Sequence, residues 1–393
     1  MKLLGKIRLI AKKYRFLYII YFYLFSSIIK ILKLFIRTDD EMVVFLSFSG
    51  KKFDDSPRAI YEGMIKDERF SHVKVIWIFE NPEKFTLNCR KVKIDSLVYY
   101  YYILKARCWI TNVAMERGLD FKGERTFYLN TWHGIPIKKI GTDVKSKNGA
   151  FVTRQEKWNV DLFLAQSDYD ADIYSRVFNI SQERIKKTGM PRNDILLKND
   201  CNIQLLKSKL NLPLNKKIIL YAPTFREFNS DYVGEYIFEN PIHVNKWREK
   251  LANDYVIIFR AHSSISKLMG ITDDDFMYDF SIYPQLTDLM LVSDLLISDY
   301  SSLLFDYSIL EKPMFCFAYD YEEYMGKRGI YIDLETDFPN SFAKNEDDLL
   351  ALIVSSDEKT VKDALSIKQK YMKNLCNSTS VVLNIVYDVI YGQ

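Results

Sequence analysis

The sequence predicts an α/β protein of two doubly wound domains, and three observations carry that expectation: chain length, composition, and two separate series of apolar, strand-length runs. At 393 residues the chain exceeds the roughly 100 to 200 residues of an ordinary domain. Its 48% hydrophobic and 27% charged residues are those of a folded protein. The first series comprises MVVFLSF (42–48), VKVIWIF (73–79), CWITNV (108–113), TFYLNTW (126–132) and DLFLAQS (161–167). Such runs, bounded by polar or turn residues and separated by helical stretches, suit strands buried on both faces of a parallel sheet. The second comprises KIILYAP (217–223), YVIIFRA (255–261), DLLISD (294–299), PMFCFA (313–318) and GIYID (329–333). Two successive α/β series imply two doubly wound domains.

The boundary falls in residues 196–217, where polar residues, a short amphipathic turn and Pro213 separate the series. The expected organisation is a segment 1–40, a first domain 41–205 and a second domain 206–393, whose last helix is free to pack back. A ligand in a cleft between the domains would meet the carboxyl ends of strands from both.

The net charge of +4 is concentrated at the start of the chain. Residues 1–37 hold nine of the 55 Lys and Arg (Lys2, Lys6, Arg8, Lys12, Lys13, Arg15, Lys30, Lys33, Arg37) and no acid, leaving 46 basic against 51 acidic residues, net −5, elsewhere. The same segment carries Phe16–Ile29, 14 residues without a charge. A spanning helix needs about 20 apolar residues. The shorter run flanked by Lys and Arg predicts a helix lying in the interface of an anionic cytoplasmic leaflet, with a true span and a buried structural helix as alternatives. No small-residue cleavage pattern follows Ile36, against a signal peptide. The five scattered cysteines, without a Cys-x-x-Cys pair, read as reduced core residues and not as a zinc site.

Four histidines exist, and two follow strand patterns directly: His133 in NTWHGIPIKKIGTD and His262 in IIFRAHSS. Strand ends are where α/β folds place functional groups, and histidine is the commonest general acid or base. Around His133, Gly134, Pro136, Lys138 and Lys139 make either a base or phosphate contact, or a tight turn with a solvated lysine pair. Arg260 precedes His262 by two positions, so both point to one side of a strand and can share an anion, unless Arg260 bridges a carboxylate. YAPTFRE ends a strand in Thr224 and Arg226, suited to phosphate or to a structural loop. In TGMPRND, Arg192 either faces the ligand or neutralises Asp194. In SDLLISDYSSLLFDYSILEKPMFCFAYD a strand delivers Asp299, Ser301 and Ser302 to a helix start, which builds an anion site from backbone and hydroxyls or merely caps the helix. Leu303, Tyr307 and Leu310 form that helix's inward face.

The chain has no G-x-x-x-x-G-K-[ST], no G-x-G-x-x-G after a strand, no H-E-x-x-H and no G-x-S-x-G. P-loop hydrolysis, dinucleotide redox, zinc proteolysis and hydrolase triads therefore lack their signatures. Nucleic-acid binding is not expected, because the basic charge lies with the aromatic N-terminal segment.

Taken in order, TWHGIPIKKIGTD, GMPRND, LYAPTFRE, RAH and SDYSSLLFDYSILEKPMFCFAYDYEEY resemble the motif series of the CDP-glycerol glycerophosphotransferase family, the teichoic-acid primases and polymerases. The resemblance covers roughly residues 126–335. It implies a GT-B fold of two Rossmann-like domains, with the donor on the second, and transfer of glycerol phosphate from CDP-glycerol to a hydroxyl of a lipid-linked acceptor, releasing CMP. By position, His133 and His262 match the family's essential histidines, and Ser301 and Ser302 with Asp299 its donor-phosphate loop. Arg226, Arg260 and Thr224 are the added donor partners, and Lys138, Gly134 and Arg192 the acceptor or phosphate contacts. Family members often carry Thr at the position of Ile135 and Pro at that of Ser263.

The implied partners are CDP-glycerol or CDP-ribitol, an undecaprenyl-diphosphate-linked saccharide and an anionic membrane surface at the cytoplasmic face; a homo-oligomer is left open. No cofactor or metal is expected. Length favours a primase or short-chain extender. A GT-B glycosyltransferase using a UDP-sugar and a non-catalytic, membrane-associated nucleotide-binding protein are the rival readings.

Overall fold

The computed structural model describes residues 15–144, 158–198, 202–224, 226, 241–261, 274–356 and 358–392. The chain divides into two compact units. The first comprises Met1–His133, Asn148–Asp194 and Asn374–Gln393, and the second Gly134–Lys147 and Ile195–Lys373. The division thus falls at Asp194 and not at residue 205, and Gly134–Lys147 goes with the second unit. The last helix, Ser378–Tyr391, belongs to the first unit because Val382, Leu383 and Val386 are buried with Ile110 and Leu164 of its sheet.

The first sheet contains Asp39–Leu46 (β1), Lys74–Phe79 (β2), Arg90–Lys93 (β3), Ala106–Thr111 (β4), Phe127–Asn130 (β5), Leu162–Ala165 (β6) and Ile185–Lys187 (β7). Their order is β3-β2-β1-β4-β5-β6-β7, with every ladder parallel. Val43 sits opposite both Val75 and Cys108. The central strands are apolar on both faces, and Val43, Val44, Phe45, Trp77, Cys108 and Ile110 are fully enclosed.

The second sheet contains Lys217–Tyr221 (β8), Tyr255–Phe259 (β9), Met277–Asp279 (β10), Leu295–Ser298 (β11), Met314–Phe317 (β12) and Phe342–Ala343 (β13). Their order is β10-β9-β8-β11-β12-β13, again parallel. In both sheets the winding reverses beside the first strand, between β1 and β4 and between β8 and β11. Such a reversal leaves a crevice at the carboxyl ends of those two strands.

One expected strand is absent. Gly329–Asp333 is a turn whose Ile330 makes a single antiparallel bridge to Lys138, and the sheet edge is β13 instead. Four strands were not expected, namely β3, β7, β10 and β13. The helix after Ser302 is short, Leu303–Ser308, and all six residues are buried, so it has no solvent face. Of the described cysteines, Cys108 and Cys316 are buried, Cys89 is half-buried and Cys376 is exposed, so the expected core placement holds for two.

The N-terminal helix runs from Arg15 to Leu34. Its stretch Phe16–Leu34 reaches past Lys30 and Lys33, which makes it long and apolar enough to cross a membrane by length and composition alone. One face is docked on the first unit. Tyr21, Ser26 and Ile29 are buried, Lys30 pairs with Asp120 at 2.9 Å, and Lys33 Nζ donates to Leu104 O at 2.7 Å and Thr38 Oγ1 at 2.8 Å. The other face leaves Phe16, Ile20, Leu24, Ile31 and Leu34 exposed.

Candidate active site

In the first unit, candidate residues gather at the β1/β4 reversal. β1 ends at Leu46, and the loop that follows is backbone-strained: Phe48, Ser49 and Asp55 have φ of 44°, 56° and 66°. Gly50 (φ 82°) is required there, since a Cβ would come within 2.7 Å of Glu80 N. Asn112, just beyond β4, receives Phe48 N–H on its side-chain Oδ1 at 2.8 Å. Its backbone carbonyl lies 2.9 Å from His133 Nδ1.

A carbonyl can only accept, so Nδ1 of His133 carries the hydrogen and the neutral ring has its lone pair on Nε2. The ring is further fixed by Phe48, 5.9 Å away between centroids, and by Trp132 at 4.1 Å. Trp132 has φ of 51°, unusual for a bulky residue. Its N–H donates to Asn130 Oδ1 at 2.8 Å, and its indole packs against Phe178 and Trp158. Burial lowers the His133 pKa below its ordinary 6.5, the Asn112 carbonyl and Asp55 oppose that, and Arg192 adds to it.

Arg192 does not neutralise Asp194. Its Nη1 lies 3.3 Å from Asp55, both side chains being largely buried. Asp194 instead accepts the backbone N–H groups of Ser378 and Thr379 at 2.9 and 2.7 Å, anchoring the last helix. The chain passes to the second unit between His133 and Gly134. Gly134 is buried with φ of 152°. Lys138 is held by its bridge to Ile330, flanked by Tyr331 N to Ile137 O at 2.8 Å and Lys139 N to Gly329 O at 3.0 Å. The two lysines therefore lie on a paired segment of the second unit.

In the second unit, Thr224, Arg226, Asp299, Ser301 and Ser302 come together at the β8/β11 reversal. Asp299, 2% exposed, accepts Thr224 N at 3.1 and 3.2 Å, Tyr300 N at 2.8 Å and Arg226 Nη1 at 2.8 Å. It caps the turn and joins the two strand ends. Arg226 also forks onto Asp320, with Nε at 2.6 Å and Nη2 at 3.0 Å. Burial opposes its charge, but Asp299 and Asp320 outweigh that and raise its pKa above the ordinary value. Removing one partner from such a buried cluster costs about 3–5 kcal/mol.

Ser301 Oγ accepts Leu303 N–H at 3.2 Å. Ser302, at the cap position, makes no capping hydrogen bond, so its hydroxyl is not committed to the helix. Arg260 Nη1 donates to Phe280 O at 2.7 Å and also to the carbonyl of Tyr283, which makes it a loop staple here. His262 lies outside the described residues. Sequence reasoning passed over Asn112, Asp55, Phe48, Tyr300, Tyr324 and Asp320. The available signal was position, because the loop after MVVFLSF leaves the first strand of its half as YAPTFRE does in the other.

Parallel doubly wound sheets with histidine- and hydroxyl-bearing loops at their winding reversals place those loops where α/β folds of this class bind ligands. The chain matches the family described as CDP-Glycerol:Poly(glycerophosphate) glycerophosphotransferase over residues 28–387, and it belongs to that family. It is 37% identical over 315 residues to the teichoic acid poly(glycerol phosphate) polymerase of Staphylococcus epidermidis, covering 76% of this chain but 43% of that protein. It thus spans less than half of that relative's length. With the teichoic acid glycerol-phosphate transferase of Staphylococcus aureus it shares 32% identity over 353 residues, covering 86% of this chain and 89% of that one. A teichoic acid ribitol-phosphate polymerase of the same strain is more distant, at 25% over 351 residues. A solved structure of the wall teichoic acid polymerase TagF, a variant soaked with CDPG, superposes with a TM-score of 0.82 at 30% identity, covering 93% of both chains.

The imidazole state is directly measurable. Nitrogen-15 NMR of the histidines is expected to show His133 as the Nδ1–H tautomer at pH 7, titrating below 6.5; the Nε2–H tautomer or a midpoint above 6.5 would contradict the geometry. Because the unfolded imidazole takes the proton more readily, His133 lowers folding stability as pH falls through 6.5 toward the folded pKa, and does not above it.

Proposed function

We propose that the chain transfers glycerol phosphate from CDP-glycerol to a hydroxyl of a lipid-linked acceptor, such as an undecaprenyl-diphosphate saccharide, in teichoic acid synthesis. The observation that carries this reading is His133, held by the Asn112 carbonyl with Nε2 as its acceptor nitrogen, in a chain that matches the family model from 28 to 387. The acceptor oxygen attacks the β-phosphorus of the donor, His133 Nε2 takes the hydroxyl proton, and the bond from that phosphorus to the bridging oxygen breaks as CMP leaves with the electron pair. A neutral imidazole at cytoplasmic pH suits that step. Ser301, Ser302 and the backbone N–H groups of their turn, with His262 by its motif, hold the pyrophosphate and the charge developing on CMP. The sheet order of each unit fits a GT-B type fold.

Glycerol rather than ribitol is favoured as the transferred unit, because the long glycerol-phosphate matches are closer than the long ribitol-phosphate ones.

The protein works at the cytoplasmic membrane surface, with the helix Arg15–Leu34 lying along it. Its docked face is tied to Asp120, Leu104 and Gly118, while Phe16 (73%) and Leu34 (80%) are exposed. Leu97, Val98 and Tyr101 of the helix Leu97–Lys105, in the same unit, are exposed as well. A helix with one face docked and hydrogen-bonded to its own unit and one apolar face open suits an interface better than a span.

With CDP-glycerol, CDP-ribitol and UDP-sugars offered on a disaccharide-lipid acceptor, CMP release is expected from CDP-glycerol alone, with an acid limb below pH 6.5. His133→Ala should lose about 10²-fold to 10⁴-fold in turnover. More than a tenth of wild-type turnover in the folded variant would sink the base assignment, and donor binding without CMP release would favour a binding protein.

Flotation with anionic liposomes gives a separate check. Binding should weaken with salt and fall at least about tenfold when Ile20 and Leu97 are both changed to Asp; unchanged flotation would place the contact elsewhere.

A further inference from the structure

The three loops that leave adjacent strands β8, β11 and β12 are tied to a single buried cation. We infer that Arg226 is a positioning residue for the Ser301–Ser302 turn, not a phosphate ligand, and that Asp320 is the carboxylate through which it acts. This rests on the reading of that turn as the donor-phosphate loop.

The guanidinium is committed within the protein. Asp320 takes Nε and Nη2, while Nη1 reaches Asp299, the Thr224 carbonyl and the Thr224 hydroxyl, each at 2.8 Å. Tyr300, Tyr319 and Tyr324 surround it at 5.1, 5.1 and 5.4 Å, and Arg226 is 5% exposed. An incoming phosphate would have to displace a bidentate carboxylate from inside this tyrosine cage. Two carboxylates on one guanidinium also leave the cluster with a formal charge of −1, which disfavours an anion there.

The connections fix the turn. Thr224 and Arg226 follow β8, Asp299 and Tyr300 follow β11, and Tyr319 and Asp320 follow β12. Tyr300 is the residue just before Ser301. Its hydroxyl donates to Asp320 at 3.0 Å, and its ring stacks on Tyr324 at 3.6 Å. Ser301 therefore extends from a residue whose backbone N–H is held by Asp299 and whose side chain is held by Asp320. The hydroxyl pair inherits its placement from the ion cluster, and a shift of about 1 Å in such a group is costly for recognition.

The test is donor binding by calorimetry on the full chain carrying His133→Ala, with CDP-glycerol as the probe. Asp320→Asn is expected to weaken binding at least about tenfold, with partial recovery in Asp320→Glu. In the His133-containing enzyme, turnover at saturating donor should fall by less than the affinity does. A dissociation constant within twofold of the parent, or turnover falling more than affinity, overturns the inference. Should Asp320→Asn fail to fold, Tyr300→Phe removes one hydroxyl and is expected to weaken binding about threefold; no change there overturns it equally. Ser302→Ala separates the two levels. If it leaves binding intact, the donor-loop reading itself fails; if it weakens binding while Asp320→Asn does not, the clamp alone fails.

Discussion

A doubly wound sheet has one place where consecutive connections turn in opposite directions, and there the loops leaving two neighbouring strands diverge. Both units of this chain depend on that constraint. In the first, Phe48 and Asn112 leave β1 and β4 and together hold His133, which arrives from β5. In the second, Thr224 and Asp299 leave β8 and β11 and are joined directly by hydrogen bonds. The dry strands beneath, with Val43, Phe45, Ile219 and Ile297 fully enclosed, give each loop a rigid base. Precision at the strand ends follows from packing in the sheet centre.

The two sites use burial to opposite ends. His133 is half-buried beside a neutral carbonyl, so loss of water disfavours its charged form and leaves Nε2 of the neutral ring as its acceptor nitrogen. Arg226 is enclosed between two carboxylates and keeps its charge. The first arrangement suits proton transfer, and the second suits holding loops in place.

The sequence made the interior strands legible because they are buried on both faces and therefore continuously apolar. All four unforeseen strands lie at sheet edges: β3 and β7 in one sheet, β10 and β13 in the other. Arg90–Lys93 and Ile185–Lys187 are short, basic and mostly solvent-facing, as edges that resist aberrant pairing tend to be. Gly329–Asp333 reads as a strand by composition, yet it pairs only through one bridge. The motif histidine at 133 and the turn at 299–302 were legible from strand-end position. The true partners of Arg226, Arg260 and Arg192 were not, because an arginine's carboxylate or carbonyl is chosen in space, as with Asp320, 94 residues from Arg226 in the chain.

On the proposed reading the β8/β11 turn, and not the arginine beneath it, receives the donor's pyrophosphate. An experimental structure of the His133→Ala variant soaked with CDP-glycerol tests this most directly. Phosphate oxygens are expected within hydrogen-bond distance of the Ser301–Ser302 backbone and hydroxyls, with Arg226 still paired to Asp299 and Asp320. A pyrophosphate bound to the Arg226 guanidinium, with Asp320 released, would contradict it.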